Sequence, residues 1–127
     1  MNQESGKIKN FTDLNAWKEG HKLVVNIYKL TKIFPKEELF GLTNQIRRAS
    51  VSITSNLAEG FSRHSYKEKV NFYHMSLGSI TEVENQLIIA RDIGYISLED
   101  FQKIENQLLT VNKLCNGLIK KSKEFYS

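Results

Sequence analysis

Polar side chains that could do chemistry form a strip along one predicted helix. They recur at steps of three and four residues: Gln45, Arg48, Ser52, Asn56 and Glu59. A neighbouring predicted helix carries a matching strip of Ser79, Glu82 and Gln86. If the strips face each other, Arg48 and Glu82 form a buried ion pair, since a buried charge without a partner is costly. We therefore predict a structural polar network, in which Glu82→Ala costs several kcal/mol. The alternative is a ligand pocket in the bundle.

A row of lysines along the first predicted helix is the second candidate site. Its members are Lys18, Lys22, Lys29 and Lys32, and Arg47 and Arg63 add positive charge from the following segments. At 100° per residue the four lysines lie within roughly 80° of one another. Such a row can replace the counterions of a nucleic-acid backbone. Aromatic residues are not interleaved, so reading of base sequence is not expected. A merely solvated helix face is the equal alternative.

The pattern of a catalytic or metal centre is missing from the sequence. His21, His64 and His74 form no HExxH pair, and no glutamate precedes a histidine by three residues. The single cysteine, Cys115, excludes an intrachain disulfide and a cysteine-rich zinc site, and its apolar neighbours indicate a small buried side chain. We therefore expect a protein that is not an enzyme and has no catalytic residues, metal or cofactor.

Composition indicates a single soluble domain, covering residues 1–127 with a flexible arm over residues 1–11. Of the 127 residues, 40% are hydrophobic and 25% are charged, which is typical of globular proteins. Neither a membrane-spanning run nor a signal peptide is apparent, so we expect a cytoplasmic protein without a membrane partner. The net charge of +4 comes from the first half of the chain. A local excess of this kind can attract polyanions.

Helical periodicity predicts four helices. The first spans residues 13–34 with Thr12 as its N-cap, and the second spans residues 38–60. The third begins at the capping box of Ser65 and ends near Gly94, and the fourth begins at Ser97. Residues 51–55 alternate like a strand, but no partner strand is available. The short link between the last two helices favours antiparallel neighbours. The fold class is therefore an all-α, antiparallel, up-down-up-down four-helix bundle.

The second helix lacks the charged face of an ordinary surface helix. No charge occurs from residue 49 to residue 58, although Val51, Thr54 and Ala58 lie on the side that should meet water. These three residues are therefore expected to lie at the centre of the bundle or at a contact with another copy of the chain.

Motifs along most of the chain resemble one bacterial family. They are FxxLxAW from Phe11, FPxxE from Phe34, GLxxQIRRA from Gly41, NLAEGFxR from Asn56 and GSxxE from Gly78. Together they resemble the four-helix bundle proteins encoded in intervening sequences of 23S ribosomal RNA genes, over roughly residues 11–119.

The resemblance implies an antiparallel bundle that assembles into a five-fold ring, hence a homopentamer. The family is similar to the accessory proteins of diversity-generating retroelements, which are basic pentameric barrels that bind nucleic acid and a reverse transcriptase. By that similarity we expect binding of RNA or DNA without strong sequence preference, through the lysine row with Arg47 and Arg63. The open alternative is a scaffold subunit that binds another polypeptide and no nucleic acid. No catalytic residues carry over.

Overall fold

The computed structural model describes residues 8–126, in which four long helices make up the fold. These are α1 (Asn15–Thr31), α2 (Leu42–Phe61), α3 (Tyr66–Ile93) and α4 (Leu98–Lys123). Short 3-10 turns, Phe11–Asp13 and Lys36–Glu38, precede α1 and α2. No strand occurs between residues 8 and 126, so the helical interpretation of residues 51–55 is confirmed. None of the helices described is both long and apolar enough to cross a bilayer.

The helices form a closed square in which each packs against two others. α1 and α3 both contact α2 and α4, whereas the diagonal pairs make no contact in residues 8–126. Every helix contributes fully buried side chains to one core: Leu23 and Ile27, Ile53 and Leu57, Val83 and Leu87, Val111 and Cys115. The predicted four-helix bundle is therefore confirmed. Burial raises the pKa of the Cys115 thiol to about 12, so this side chain is a protonated member of the core.

Two helix starts differ from the prediction. Thr12 is not the N-cap of α1 but lies in the preceding 3-10 turn, whose own cap is the side chain of Asn10. α2 begins at Leu42, because the Glu38 carboxylate accepts a hydrogen bond of 3.1 Å from the backbone N–H of Leu42 and so caps the helix from outside. The first predicted helix also ends early, at Thr31, ahead of Pro35.

The remaining helix ends agree with the prediction. Ser65 and Ser97 accept hydrogen bonds from the backbone N–H groups of Glu68 and Asp100, which begins α3 and α4. Gly94 ends α3 in the left-handed conformation at φ 98°. Each of these ends depends on a capping hydrogen bond or a glycine conformation within a few residues, so the local sequence was enough to predict it.

The N-terminal arm is only partly within the described chain. The arm was predicted to be flexible over residues 1–11, and residues 1–7 lie outside the described residues. Phe11 packs edge-on against Trp17 with ring centroids 5.5 Å apart, and this contact attaches the end of the arm to α1.

Candidate nucleic-acid interface

The lysine row lies on the outer surface of α1. Lys22 and Lys29 are exposed on the helix, Lys32 is exposed at its C-cap, and Lys18 is half-buried. Lys22 Nζ lies 3.2 Å from Glu19 Oε2, in a pair that faces solvent. The other three lysines form no salt bridge within 4.0 Å among residues 8–126, although backbone hydrogen bonds and the charge of Lys18 together lower the pKa of nearby Asp13. The row is therefore a largely uncompensated positive surface.

Helix α4 faces the row across a shallow groove and places Lys103 there, whose Nζ lies 3.9 Å from Oε2 of Glu99. Lys29 of α1 and Lys103 of α4 line the same groove, which is bridged by a 3.0 Å hydrogen bond from Asn26 Nδ2 to Gln107 Oε1. Asp100 also lines it, so the charge there is mixed. Sequence analysis did not include Lys103, because helical periodicity identifies neighbours on one helix but not across two.

Arg47 contacts the end of α1 instead of projecting freely into solvent. Its Nε donates a 2.8 Å hydrogen bond to Oγ1 of buried Thr31, and Nη2 donates to the carbonyl of Tyr28 at 3.4 Å. The guanidinium carbon lies 4.7 Å from the centroid of the Tyr28 ring. Arg47 thus satisfies a carbonyl in the last turn of α1, where backbone acceptors lack helical partners. Its role as a phosphate contact stays a prediction.

Arg63 is also held by contacts within the chain. Its Nη2 lies 2.7 Å from Glu59 Oε2, and its guanidinium carbon lies 4.6 Å from the centroid of the Phe72 ring. Both charged side chains of the ion pair are substantially exposed, so the pair contributes little to stability. Glu59 therefore has a local partner, and Arg63 offers only part of its guanidinium to a phosphate.

The predicted polar network is confirmed only at its centre. Ser79 of α3 donates a 2.9 Å hydrogen bond to Oγ of Ser52 on α2, and Asn56 Nδ2 donates to both the carbonyl and the hydroxyl of Ser52. These small polar groups join α2 to α3 without any charge.

The predicted ion pair between Arg48 and Glu82 is wrong. Both residues are exposed, and they form no salt bridge within residues 8–126. Glu82 instead accepts a long contact of 3.4 Å from Gln86 Nε2 on its own helix. Gln45 is exposed as well. Exposed side chains such as Arg48 and Glu82 keep their hydration. A buried ion pair would have to offset the free-energy cost of losing that hydration.

The uncharged face of α2 is partly covered by α1. Thr54 and Ala58 are half-buried, and Val51 is 38% exposed. A Cβ atom built on Gly20 of α1 would lie 3.1 Å from Cγ2 of Thr54, so the two helices approach closely at this point. Some of the cover expected from another copy is thus supplied by the same chain. The contact between copies stays a prediction.

The possible metal ligands form no cluster in the described residues, although the carboxyl groups of Glu84 and Glu105 interact with each other. No group of three or more histidine, cysteine, aspartate or glutamate side chains suited to a metal ion occurs in the part of the chain from residue 8 to residue 126. The arrangement that stands out chemically is the positive surface of α1, which can attract an anion but offers no reactive group beside it.

Comparison with known proteins identifies the family. The sequence profile of the 23S rRNA-intervening sequence protein family matches residues 12–117. A crystal structure of a protein with unknown function from the S23 ribosomal protein family of Bacteroides thetaiotaomicron VPI-5482 is similar in fold. The TM-score is 0.77 at 27% sequence identity, over 83% of this chain and 95% of that one. No curated protein matches the chain. The match over most of the chain shows that it belongs to the 23S rRNA-intervening sequence protein family.

Proposed function

We propose that this protein is a non-catalytic, homo-oligomeric helical bundle that binds RNA or DNA through the lysine row of α1, without strong sequence preference. The observation that carries the proposal is the exposed row itself, in which only Lys22 forms a salt bridge among the described residues. Lysines spaced along one helix face can each neutralise a phosphate and release its counterion.

The side chains beside the row favour contact with phosphates over contact with bases. Trp17 is the aromatic residue next to Lys18 in the sequence, but its ring already stacks on His21 at 4.8 Å between centroids and meets Phe11 edge-on. A ring occupied on two sides is a poor platform for a base. Lysine, as a point charge on a flexible stem, also provides little base discrimination.

In an oligomer, a modest positive charge on each chain is sufficient for nucleic-acid binding. Each chain carries +4, so a single copy offers only a few phosphate contacts. Several copies on one polyanion would multiply these contacts through their high effective concentration. We propose a homopentamer whose subunit contact includes Val51 on the uncharged face of α2, with Arg48 and Glu82 nearby on exposed surface. The partial exposure of Val51, at 38%, supports this assignment.

The test is a salt titration of binding to short RNAs and DNA duplexes of unrelated sequence. The double variant Lys22→Glu with Lys29→Glu should weaken binding at least about tenfold on every sequence and make the logarithmic salt slope shallower by about 2. The matched control is Lys67→Glu with Lys123→Glu, which changes net charge equally at exposed positions outside the row. Equal weakening by both doubles would contradict an interface at the row.

A second candidate function is favoured by an exposed apolar end of the bundle. Ile33 is 70% exposed, Phe40 90% and Leu98 76%, and all three lie in or beside the connections at the same end. Exposed apolar clusters of this kind commonly mark protein contacts. The alternative is therefore a scaffold subunit that binds another polypeptide. Absence of nucleic-acid binding, together with a partner complex that survives high salt, would favour it.

A further inference from the structure

The end of the bundle opposite these connections contains an open cleft. It has a volume of about 620 Å³ and is lined by residues near the start of α1, the junction of α2 with α3 and the last turns of α4. Leu14 and Leu118 supply aliphatic wall, while Phe61, Tyr66 and Phe125 supply aromatic wall. The Tyr66 and Phe125 rings stack with centroids 5.0 Å apart. Size and lining fit small-molecule sites, which are mostly apolar and hold roughly 300–1,000 Å³.

A tyrosine without a partner lies in this cleft. Tyr73 of α3 is only 1% exposed and lines the cleft, yet its hydroxyl has no hydrogen bond to any described residue. Three side-chain polar atoms in residues 8–126 are fully enclosed and have no hydrogen-bond partner, and the Tyr73 hydroxyl is not one of them. The small exposed area of Tyr73 therefore belongs at least in part to its hydroxyl, which reaches the open space. Buried phenols usually find a partner, so this one is available to a ligand.

The charged residues of the cleft are all positive. Lys69, Lys113 and Lys121 line it, and no described lining residue is acidic. Lys69 Nζ donates a 2.6 Å hydrogen bond to the carbonyl of Phe61 at the end of α2, which holds the ammonium at the wall. An ammonium has three donors, and the other two have no hydrogen bond to a described residue, although Nζ also lies 5.1 Å from the centroid of the Phe61 ring and 5.7 Å from that of Tyr66. Burial lowers the pKa of Lys69, which shows that its charge is partly removed from water.

A glycine of α4 lines the cleft. Gly117 lies one helical turn from both Lys113 and Lys121 and lines the cleft. A Cβ atom added there would meet no other atom within 4 Å, so close packing does not account for the glycine. A larger side chain at this position would project into unoccupied space rather than into the core.

We propose that this cleft binds a single-chain organic acid, whose apolar chain packs against the leucine and aromatic walls and whose carboxylate accepts hydrogen bonds from the Tyr73 hydroxyl and the Lys69 ammonium. Burial raises the pKa of Tyr73 to about 12, so the phenol stays protonated and can only be a donor to a carboxylate. Two donor groups match the two oxygens of that headgroup, and the apolar walls match its chain. None of the four row lysines lines it either, so the inference does not depend on nucleic-acid binding.

The test is calorimetric titration of the full chain with decanoate below its micelle concentration, and with decan-1-ol as the uncharged analogue. Decanoate should bind once per chain, at least about tenfold more tightly than the alcohol. Gly117→Leu should weaken decanoate binding at least about tenfold by filling the cleft. The matched control is Gly78→Leu, since Gly78 of α3 also has nothing within 4 Å of an added Cβ and does not line the cleft.

Two further variants separate the headgroup contacts from the shape of the cleft. Tyr73→Phe keeps the ring and should weaken decanoate binding about fivefold, and that of decan-1-ol less, because a hydrogen bond to a neutral hydroxyl is weaker than one to a carboxylate. Lys113→Gln with Lys121→Gln alters only exposed residues, so it should fold normally and still weaken decanoate binding a few-fold. Equal affinity for acid and alcohol, or equal binding by the two leucine variants, would overturn the proposal.

Discussion

Arg47 Nε lies 2.8 Å from Oγ1 of Thr31, and this hydrogen bond joins the first third of α2 to the last residue of α1. Thr31 in turn donates to the carbonyl of Ile27 at 2.8 Å. The arginine therefore holds the end of α1 in place, and its exposed neighbour Arg48 makes no such contact in residues 8–126. Adjacent residues of the same type thus differ in their roles because only one faces a neighbouring helix.

Replacing Arg47 should affect stability much more than replacing a row lysine. Arg47→Met removes two hydrogen bonds and the contact with the Tyr28 ring, so we expect the free energy of unfolding to fall by about 1–2 kcal/mol. Lys29→Met, at an exposed position on α1, should change it by less than about 0.5 kcal/mol. Urea unfolding followed by circular dichroism measures both. A similar loss in the two variants would contradict the structural role of Arg47.

The glycines of α1 and α4 should respond oppositely to alanine. Gly117→Ala adds a methyl group in open space and should stabilise the protein by up to about 1 kcal/mol, since alanine is the better helix former. At Gly20 the new Cβ would lie 3.1 Å from Cγ2 of Thr54, so this side chain must shift by a few tenths of an ångström and that gain should be lost. Thermal melts at matched concentration test the difference. Equal shifts would show that the helices approach less closely than described.

The polar strip shows what periodicity can and cannot predict. Spacing correctly placed Ser52 and Asn56 on the side of α2 that meets α3, because residues three and four apart share a helix face. It also placed Arg48 and Glu82 near the border of that face. Whether a border residue is buried depends on the rotation of each helix about its axis relative to its neighbours. Residue spacing within one helix does not determine that rotation. The exposed positions of these two charges could therefore not be derived.

The same limit explains why the cleft was not predicted. Its aromatic and lysine residues come from three separate segments, and each segment alone has an ordinary amphipathic pattern. The available signal was the aromatic cluster of Phe61, Tyr66 and Tyr73 around Lys69 at the predicted junction of two helices. By contrast, helix ends such as Ser97 and Gly94 were predictable because they depend only on nearby backbone.

Interior contacts, rather than charge pairs, should control the stability of the α2–α3 interface. Ser76 of α3 is fully buried and donates a 2.8 Å hydrogen bond to the carbonyl of Ile53, so Ser76→Leu should cost about 2–3 kcal/mol through overpacking and the lost bond. Glu82→Ala should change stability by less than about 0.5 kcal/mol, because Glu82 is exposed. Chemical denaturation of the two variants measures both changes in the free energy of unfolding. A loss of several kcal/mol in Glu82→Ala would instead indicate that Glu82 forms a buried ion pair.

Stability should fall as pH rises from 4.5 to about 7 because of one carboxyl group. Burial raises the pKa of Glu105 on α4 to about 7. The neighbouring Glu84 carboxylate on α3 acts in the same direction, whereas the positive charge of Arg91 opposes it. In the unfolded chain the group returns to its ordinary pKa of 4.5. Between these values the folded protein keeps a proton that the unfolded chain releases, so the free energy of unfolding decreases with increasing pH and levels off above about 7.

The expected decrease is about 1–2 kcal/mol, since partial solvent access screens the interaction. Glu105→Gln should remove most of this slope and make the protein more stable than the wild type at about pH 8, because the neutral amide never acquires the unfavourable charge. Urea unfolding between about pH 5 and pH 8 measures the slope, with Glu99→Gln as an exposed control on the same helix. Parallel profiles for the wild type and Glu105→Gln would show that Glu105 is charged in the folded state.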